Sequence, residues 1–235
     1  MSFDFFGIWL PLIIAALIQA SFALGVSMLT LLSGHLLSNK KSAKLLGKLS
    51  FFYILGSSVA TASGVLIAVY FFSFFSFIEK SYFWSILSGS ATGIGLMVLF
   101  FYYRHGKKNG TRLWLPRRAA EYLYQRIRAT QYSFETFILG IAAIILELVF
   151  IAVPILIAAN LIANLSGLEQ VIAIKAYILI SILPLLILFF SNCHRRKISE
   201  FQKWREKNKK FLQIFAGISL IVLGIYLFIY KTTGV

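Results

Sequence analysis

Six long apolar runs constrain this chain more than any other feature of its sequence. Each run is long enough to cross the hydrocarbon core of a bilayer, which takes a helix of about 20 residues. The runs are continuously apolar rather than alternating, and this pattern predicts helices instead of barrel strands. The predicted spans cover approximately 8–33, 51–77, 83–103, 134–163, 170–191 and 211–230. We therefore expect an all-α, polytopic membrane protein with six transmembrane helices.

Composition agrees with a membrane protein and excludes a soluble catalytic domain. Of the 235 residues, 59% are hydrophobic and only 13% are charged, whereas soluble domains carry about 25% charged residues. The three histidines lie far apart in the sequence and make no metal-ligand spacing. No glycine loop of the phosphate-binding type lies outside the apolar runs. We expect no enzyme activity, no cofactor and no metal site.

The basic residues predict how the chain is oriented in the membrane. Segments 35–49, 104–130 and 192–210 carry four, eight and eight of the 23 lysine and arginine residues. Six spans place these three segments on one side, and the positive-inside rule makes that side the cytoplasm. Both termini are then outside, in the inner or plasma membrane. The net charge of +15 therefore indicates orientation and contact with anionic lipid headgroups, not binding of nucleic acid.

The two halves of the chain resemble each other. Spans two and three match spans five and six at an offset of 124 residues, and span one matches span four at 128. The matched pairs include Tyr53 with Tyr177, Ser57 with Ser181, Gly93 with Gly217, Gln19 with Glu147, and Phe22 with Phe150. Three spans per half give the halves opposite orientations, which makes an inverted repeat. The predicted units are a first repeat at 1–103, a basic cytoplasmic linker at 104–131 and a second repeat at 132–235.

One carboxylate, Glu147, lies inside the fourth apolar run. A charged group at bilayer depth costs several kcal/mol, so such residues are by default candidates for functional sites. Pro154 lies two turns further along the same helix face. Gln19, the counterpart of Glu147, begins a stripe of small and polar residues that includes Ser27 and Thr30. These five residues are the predicted lining of a transport pathway. A structural interpretation stays open, in which Glu147 and the stripe only join helices through hydrogen bonds and close packing, or Glu147 neutralises a lysine of a partner subunit.

Other small and breaking residues suggest helix packing and bends. The rows Gly56-Ala60-Gly64 and Gly89-Gly93 predict close helix contacts. Pro184 predicts a kink or a discontinuity in span five. Residues 116–131 predict a short basic helix, whose Tyr122, Leu123 and Ile127 either face the membrane or belong to a solvated linker.

The architecture resembles the superfamily of the lysine exporters and the DsbD and CcdA proteins. The resemblance rests on six spans in a 3+3 inverted repeat, outside termini, and helix-breaking or small residues in spans one and four. The DsbD and CcdA branch carries one cysteine in span one and one in span four, which shuttle electrons. This chain has neither, since its single cysteine is Cys193. The lysine-exporter branch has a proline- and glycine-rich break in span one, where this chain has Leu24-Gly25-Val26-Ser27 without proline.

The leading hypothesis is a secondary transporter that exports a small organic solute. Glu147 would couple transport to protons or bind a solute amine, Gln19, Ser27 and Thr30 would supply neutral polar contacts, and Pro154 would provide a bend. The alternative is a non-transporting subunit that scaffolds a larger membrane complex. A metal-ion exporter ranks below both, because one carboxylate is few ligands for a dehydrated divalent ion. Membrane lipids and a second copy or a partner subunit are the expected partners.

Overall fold

The computed structural model describes residues 5–22, 24–38, 43–74, 80–101, 103–105, 111–113, 117–191, 204 and 207–232. Within them the chain is helical, apart from short connections and one pair of three-residue strands. The helices are α1 (Leu10–Ser21), preceded by a π-helical turn at Phe5–Trp9, then α2 (Leu24–Ser38), α3 (Ala43–Phe74), α4 (Lys80–Phe101), α5 (Arg117–Ala129), α6 (Ser133–Ala163), α7 (Gly167–Ser181), α8 (Leu183–Ser191) and α9 (Lys209–Thr232). Cys193 and most of the basic segment 192–210 lie outside the described residues, as do parts of the other two basic segments.

The helices have the length and composition of membrane spans. Three stretches, Lys44–Phe74, Ser133–Ala163 and Lys210–Ile229, are each long and apolar enough to cross a bilayer. Two bent pairs bring the number to five if each pair counts as one span: Gly7–Ser21 with Gly25–Ser33, and Gly167–Ser181 with Leu183–Phe190. The expected all-α fold is thus confirmed, and three to five candidate spans among the described residues are consistent with a membrane protein. The apolar part of α4, Trp84–Phe100, is shorter than these.

Large apolar side chains cover the outside of the helices as well as the core. Ile67, Phe100, Ile145 and Phe190 are each more than 60% exposed. In water such a surface would be an aggregation hazard, whereas lipid tails are as apolar as the side chains themselves. The exposed faces therefore fit a hydrocarbon surrounding.

Both bent pairs have an identifiable break. In the first pair α1 ends at Ser21, and Phe22 takes an extended conformation with ψ of 149°; the two halves meet at 45°. In the second pair α7 ends at Ser181 and the halves meet at 55°. Pro184 is the second residue of α8, a position where its missing N–H costs nothing, whereas it could not continue α7. The discontinuity predicted at Pro184 is present. Pro154, by contrast, lies inside the uninterrupted α6.

Two helix pairs form most of the bundle, α3 with α6 and α4 with α9, and α1 packs against α6, α7 and α9. The first pair is held closely by glycine. A Cβ built on Gly56 would overlap the carbonyl oxygen of Phe137, and one built on Gly140 would overlap that of Tyr53. The predicted row through Gly56 and Gly64 thus faces α6, with Gly64 next to Ile155.

The second predicted glycine row does not lie at a helix contact, which corrects the prediction from the sequence. Gly89 and Gly93 were expected at a helix contact, but both are exposed, and a Cβ on either would meet no described atom within 4 Å. Gly95 packs instead against Gly217 of α9. Both faces of a membrane helix are apolar, so glycine spacing alone does not identify the face that meets a neighbour.

The basic linker and the residue before it contain the two paired strands and α5. Strand β1 (Tyr103–His105) pairs antiparallel with β2 (Thr111–Leu113). The predicted short helix is present as α5, but Leu123 and Ile127 are buried in the protein and do not face the membrane. Only Tyr122 of the three is exposed. At the start of α6, Glu135 forms an ion pair with Arg126 and accepts a hydrogen bond from Thr130 Oγ1 at 2.6 Å. These contacts fix α5 to the first turn of α6.

Candidate functional site

The two residues predicted to face each other, Gln19 and Glu147, line the same cavity. The cavity measures about 30 Å³, which is enough to hold a water molecule. Both side chains are buried, at 6% and 4% exposure. Its wall is formed by residues of α1, α2, α3, α6, α7 and α8 and of the breaks between α1 and α2 and between α7 and α8. The lining residues are Gln19, Ala20, Phe22, Gly25, Val26, Thr61, Ile144, Glu147, Ser181, Ile182, Pro184 and Leu185.

Gln19 joins three helices through hydrogen bonds of its side-chain amide. The Tyr177 hydroxyl on α7 donates to Gln19 Oε1 at 2.7 Å. Gln19 Nε2 donates to Thr61 Oγ1 on α3 at 3.2 Å. Tyr177 and Thr61 are both fully buried. A buried amide needs partners for its donors and its acceptor, and here the oxygen has Tyr177 while the nitrogen has Thr61.

Glu147 has a tyrosine neighbour too, Tyr53 of α3. The carboxylate lies within electrostatic range of the Tyr53 hydroxyl. That hydroxyl is fully buried and makes no hydrogen bond with any described residue. It points toward Gly25 at the start of α2, where a Cβ would lie 3.8 Å from the hydroxyl oxygen. Gly25 lines the cavity, whereas Tyr53 is not among its lining residues.

The residues around the cavity pair at the offsets seen in the sequence. Tyr177 of α7 donates a hydrogen bond to Gln19, and Tyr53 of α3 lies near Glu147. Each tyrosine therefore meets the polar residue of the other half of the sequence. Ser57 Oγ donates to the Tyr53 carbonyl at 3.1 Å, and Ser181 Oγ donates to the Tyr177 carbonyl at 2.7 Å. The rings of Phe22 and Phe150 stack on each other, with centroids 5.7 Å apart.

A second matched pair in the cavity, besides Gln19 and Glu147, differs in chemistry. At the offset of 124 residues, Thr61 of the first half corresponds to Leu185 of the second, and both line the cavity. Thr61 supplies the acceptor that the Gln19 amide nitrogen requires. A carboxylate in its ionised form has no donor and needs no such acceptor. The substitution of glutamate for glutamine and of leucine for threonine is therefore chemically consistent.

Both helix breaks open onto the cavity. Phe22, Gly25 and Val26 come from the break between α1 and α2, and Ser181, Ile182 and Pro184 come from the break between α7 and α8. Interrupted helices present backbone groups that have no intrahelical partner. In membrane proteins, irregular backbone of this kind is tolerated only inside protein or along a wet cavity.

Three other predicted pathway residues lie away from this cavity. Thr30 Oγ1 donates to the Ser27 carbonyl at 2.8 Å, a bond within α2. Pro154 is buried in α6. None of these three belongs to the cavity lining. The structure brings together Gln19 and Glu147 but places Ser27, Thr30 and Pro154 elsewhere, so their part in a pathway stays a prediction.

Four polar residues of the site were not singled out by sequence reasoning: Tyr53, Thr61, Tyr177 and Ser181. Tyr53, Tyr177 and Ser181 were used only as evidence of a repeat, although two tyrosines at matched positions inside apolar runs are themselves a signal. Thr61 carries no comparable signal, because isolated threonines are common in membrane helices as packing residues.

A larger groove lies elsewhere, between α5 and the first turns of α6. It measures about 670 Å³ and is open. Its lining is mostly apolar and aromatic, with Tyr122, Tyr132 and Phe134 among its members. The polar groups there, Arg126 and Glu135, are already paired. The groove therefore offers a surface but no evident chemistry.

The chemistry available at the cavity is narrow. Its lining has one acid, one amide and two hydroxyls, and none of the twelve residues is basic. Across the part of the chain that the structure describes, no three histidine, cysteine or acidic side chains lie together. Comparison of the chain with protein-family models, with curated proteins and with solved structures finds no match to any of them.

Proposed function

We propose that this protein is a secondary transporter that exports a small organic solute across the cell membrane. The observation that carries the proposal is the position of Glu147. It is the acid in the lining of a small cavity at which the breaks of two helix pairs meet. Transporters of inverted-repeat design bind substrates and coupling ions near the midplane, at discontinuous helices and at the interface between repeats.

The six-span inverted repeat is part of the proposal. Counting α4 as a span gives six, in the order α1–α2, α3, α4, α6, α7–α8 and α9. An exchange of the two halves converts the α3–α6 contact into a contact of α7–α8 with α1–α2, and leaves the α4–α9 contact unchanged. All of these contacts are present. The Phe22–Phe150 stack pairs two matched residues with each other, as expected for residues close to a two-fold axis.

The helix breaks do not follow the repeat. They fall in the first and fifth spans. A strict repeat would match a break in the first span with a break in the fourth. The proline at residue 184 explains the second break locally. Each break nevertheless reaches the same cavity, which is the feature that transport requires.

The role proposed for Glu147 follows from the energetics of burial. A buried carboxylate has to be protonated, paired with a cation or supplied with hydrogen bonds. If Glu147 alternated between two of these conditions, its charge would change. That change could be coupled to the opening of the cavity toward one side of the membrane or the other. The Gln19 amide cannot titrate, so it would serve as a fixed hydrogen-bonding contact held by Tyr177 and Thr61.

A scaffold subunit is the second candidate, and one observation favours it. The cavity of about 30 Å³ is too small for an organic solute, and the Gln19 network ties three helices together. In this role the polar centre would stabilise the bundle, as interhelical hydrogen bonds do. A transporter in an occluded state would have the same small cavity, so cavity size alone favours neither.

The test is solute and proton flux in liposomes containing Glu147→Gln. Glutamine keeps the shape of the side chain and most of its hydrogen bonds but cannot carry a charge. We expect normal insertion and yield, with loss of flux or of its dependence on an imposed pH gradient. The matched control is Glu169→Gln at the start of α7, where the carboxylate accepts a hydrogen bond from Ser166 outside the cavity. Full activity in Glu147→Gln would contradict the coupling role, and loss of stability without a specific flux defect would favour the scaffold.

A further inference from the structure

We propose that the open groove between α5 and the first turns of α6 is a binding site for one anionic phospholipid. In this arrangement an acyl chain lies along α6 and the phosphate meets Arg126 of α5. The inference does not rest on the proposed transport function, because the groove shares no lining residue with the cavity at Glu147. Lipid binding is also measured without any solute.

The groove has the size and the lining of a site for an apolar chain. Its volume of about 670 Å³ lies within the range of roughly 300–1,000 Å³ that small-molecule sites occupy. Seven of its nine lining residues are apolar or aromatic, and Leu123 and Leu139 among them are buried. The other two, Arg126 and Glu135, form an ion pair with each other, so the charged groups lie at one place. A ligand that fits this lining is apolar along most of its length and polar at one end.

The α6 wall of the groove continues into a helix surface that fits a hydrocarbon surrounding. Phe134, Ile138 and Ala142 line the groove at intervals of four residues, and Ile145 and Val149 follow on the same face. Ala142 is half-buried and the other four are exposed. From residue 134 to residue 149 the helix rises by about 22 Å, which is more than the roughly 15 Å of hydrocarbon in one leaflet. An acyl chain that enters the groove can therefore follow apolar side chains along its whole length.

The polar end of the groove lies at the end of a candidate membrane span. Glu135 is the third residue of α6, which is long and apolar enough to cross a bilayer. Tyr122 and Tyr132 also line the groove and are each more than 60% exposed. Tyrosine is enriched at the boundary between hydrocarbon and headgroups, and its hydroxyl can donate to ester or phosphate oxygens. These features put Arg126 at the depth of a lipid phosphate.

The charge of α5 selects an anionic headgroup. The helix has four arginines and one glutamate, so an excess of two positive charges remains after Glu135 is counted. The Nε–H of Arg126 contacts Glu135, and the side chain is 56% exposed. A guanidinium has four further N–H donors, in a planar fork that matches a phosphate. A zwitterionic headgroup brings the same phosphate together with a positive charge, which the arginines of α5 repel.

The experiment is native mass spectrometry of the full-length protein in a neutral detergent, titrated with phosphatidylglycerol. Phosphatidylcholine with the same acyl chains tests the headgroup charge, and glycerol phosphate tests the headgroup without chains. Thermal unfolding is followed in the same samples, because a ligand that binds only the folded state raises the melting temperature. We expect one phosphatidylglycerol molecule to bind saturably and to raise the melting temperature. Phosphatidylcholine should bind more weakly, and glycerol phosphate should have no effect.

Two arginines of α5 provide matched variants. Arg126 lines the groove, whereas Arg128 is exposed outside the lining and, two residues further on, points to another face of the helix. Arg126→Gln should weaken the affinity for phosphatidylglycerol at least about tenfold, as loss of a hydrogen bond to a charged group does. Arg128→Gln removes the same charge and should weaken it about fivefold at most, the effect of one arginine near an anionic surface.

A second pair of variants tests the acyl chain without changing the ion pair. Ala142→Leu fills the groove. Ala152→Leu adds the same side chain at a position of α6 that is also half-buried but lies outside the groove. We expect Ala142→Leu to lose the tightly bound phosphatidylglycerol and Ala152→Leu to bind it like the wild type. This pair also gives the answer if Arg126→Gln does not fold.

Several results would overturn the lipid site. If phosphatidylcholine binds the wild type as tightly as phosphatidylglycerol, hydrocarbon contact alone explains the binding. If glycerol phosphate stabilises the protein as much as phosphatidylglycerol, the ligand is a free anion. Equal losses of affinity in Arg126→Gln and Arg128→Gln indicate diffuse attraction to α5 rather than a site. Unchanged phosphatidylglycerol binding in Ala142→Leu excludes the groove, and a protein dimer that Ala142→Leu dissociates assigns the groove to a second copy.

Discussion

Replacing Gly95 by alanine tests the close packing of α4 on α9. A Cβ at residue 95 would lie 2.8 Å from the carbonyl oxygen of Gly217 and 2.8 Å from Ile221 Cγ1. Ordinary Cβ contacts begin at 3.4 Å, so the helices would have to separate by about 0.6 Å, the difference between the two distances. The carbonyl belongs to the backbone and cannot rotate away. The whole contact between the two helices has to adjust.

The expected magnitude comes from comparison with Gly93→Ala. Gly93 lies two residues away on the same helix, and its Cβ would meet no described atom within 4 Å. Both substitutions gain the helix preference of alanine, about 0.5–1 kcal/mol, but only Gly95→Ala adds overpacking, which costs roughly 1–3 kcal/mol. The difference between the variants isolates the overlap. For a chain of this size it corresponds to a melting temperature lower by roughly 2–12 °C in Gly95→Ala.

The assay is thermal unfolding of both purified variants in the same detergent, followed by intrinsic tryptophan fluorescence. The comparison is made between the variants rather than with the wild type, so that the helix preference cancels. Equal melting temperatures, or a more stable Gly95→Ala, would refute the close α4–α9 contact.

The remaining predictions concern the hydrogen-bond network and the topology. Tyr177→Phe removes the donor to Gln19 and should destabilise the protein by about 0.6 kcal/mol, the average for hydrogen bonds between membrane helices. Tyr53→Phe loses no hydrogen bond to a described residue and should cost less, so a larger loss in Tyr53→Phe would contradict the network. A single cysteine at position 109, with Cys193 replaced by serine, should react only with reagents that enter the cytoplasm. Labelling by an impermeant reagent added outside intact cells would reverse the proposed orientation.

The sequence predicted the positions of the apolar helices because hydrocarbon imposes a length and a composition on every span. It also predicted that Gln19 and Glu147 would share one site, since both are polar residues at matched positions. It did not predict that α1 ends at Ser21, because no proline marks that break. The second break could be predicted, because Pro184 cannot continue the helix that precedes it.

The packing faces were harder to predict, for a reason specific to membranes. Lipid tails are as apolar as a protein core, so the hydrophobic pattern does not distinguish Gly93, which faces outward, from Gly95, which packs on α9. In the linker, apolar residues of a basic helix proved to be buried in the protein. Leu123 and Ile127 lie on the apolar face of a basic helix, for which the sequence predicted either contact with the membrane or a solvated linker. Instead, both side chains are buried, and α5 packs on α2 and α6.

The central claim, that the cavity belongs to a pathway between the two sides of the membrane, is tested most directly by cysteine accessibility. Ala20 lines the cavity, and alanine to cysteine is a small change. In a background with Cys193 replaced by serine, Ala20→Cys is reacted with an impermeant thiol reagent from each side, in proteoliposomes under opposite pH gradients. The control is Ala158→Cys, which is fully buried in α6 outside the cavity lining. We expect Ala20→Cys to react from one side under one gradient and from the other side under the reverse gradient, while Ala158→Cys stays unreactive. An Ala20→Cys protein that never reacts from either side would contradict a pathway.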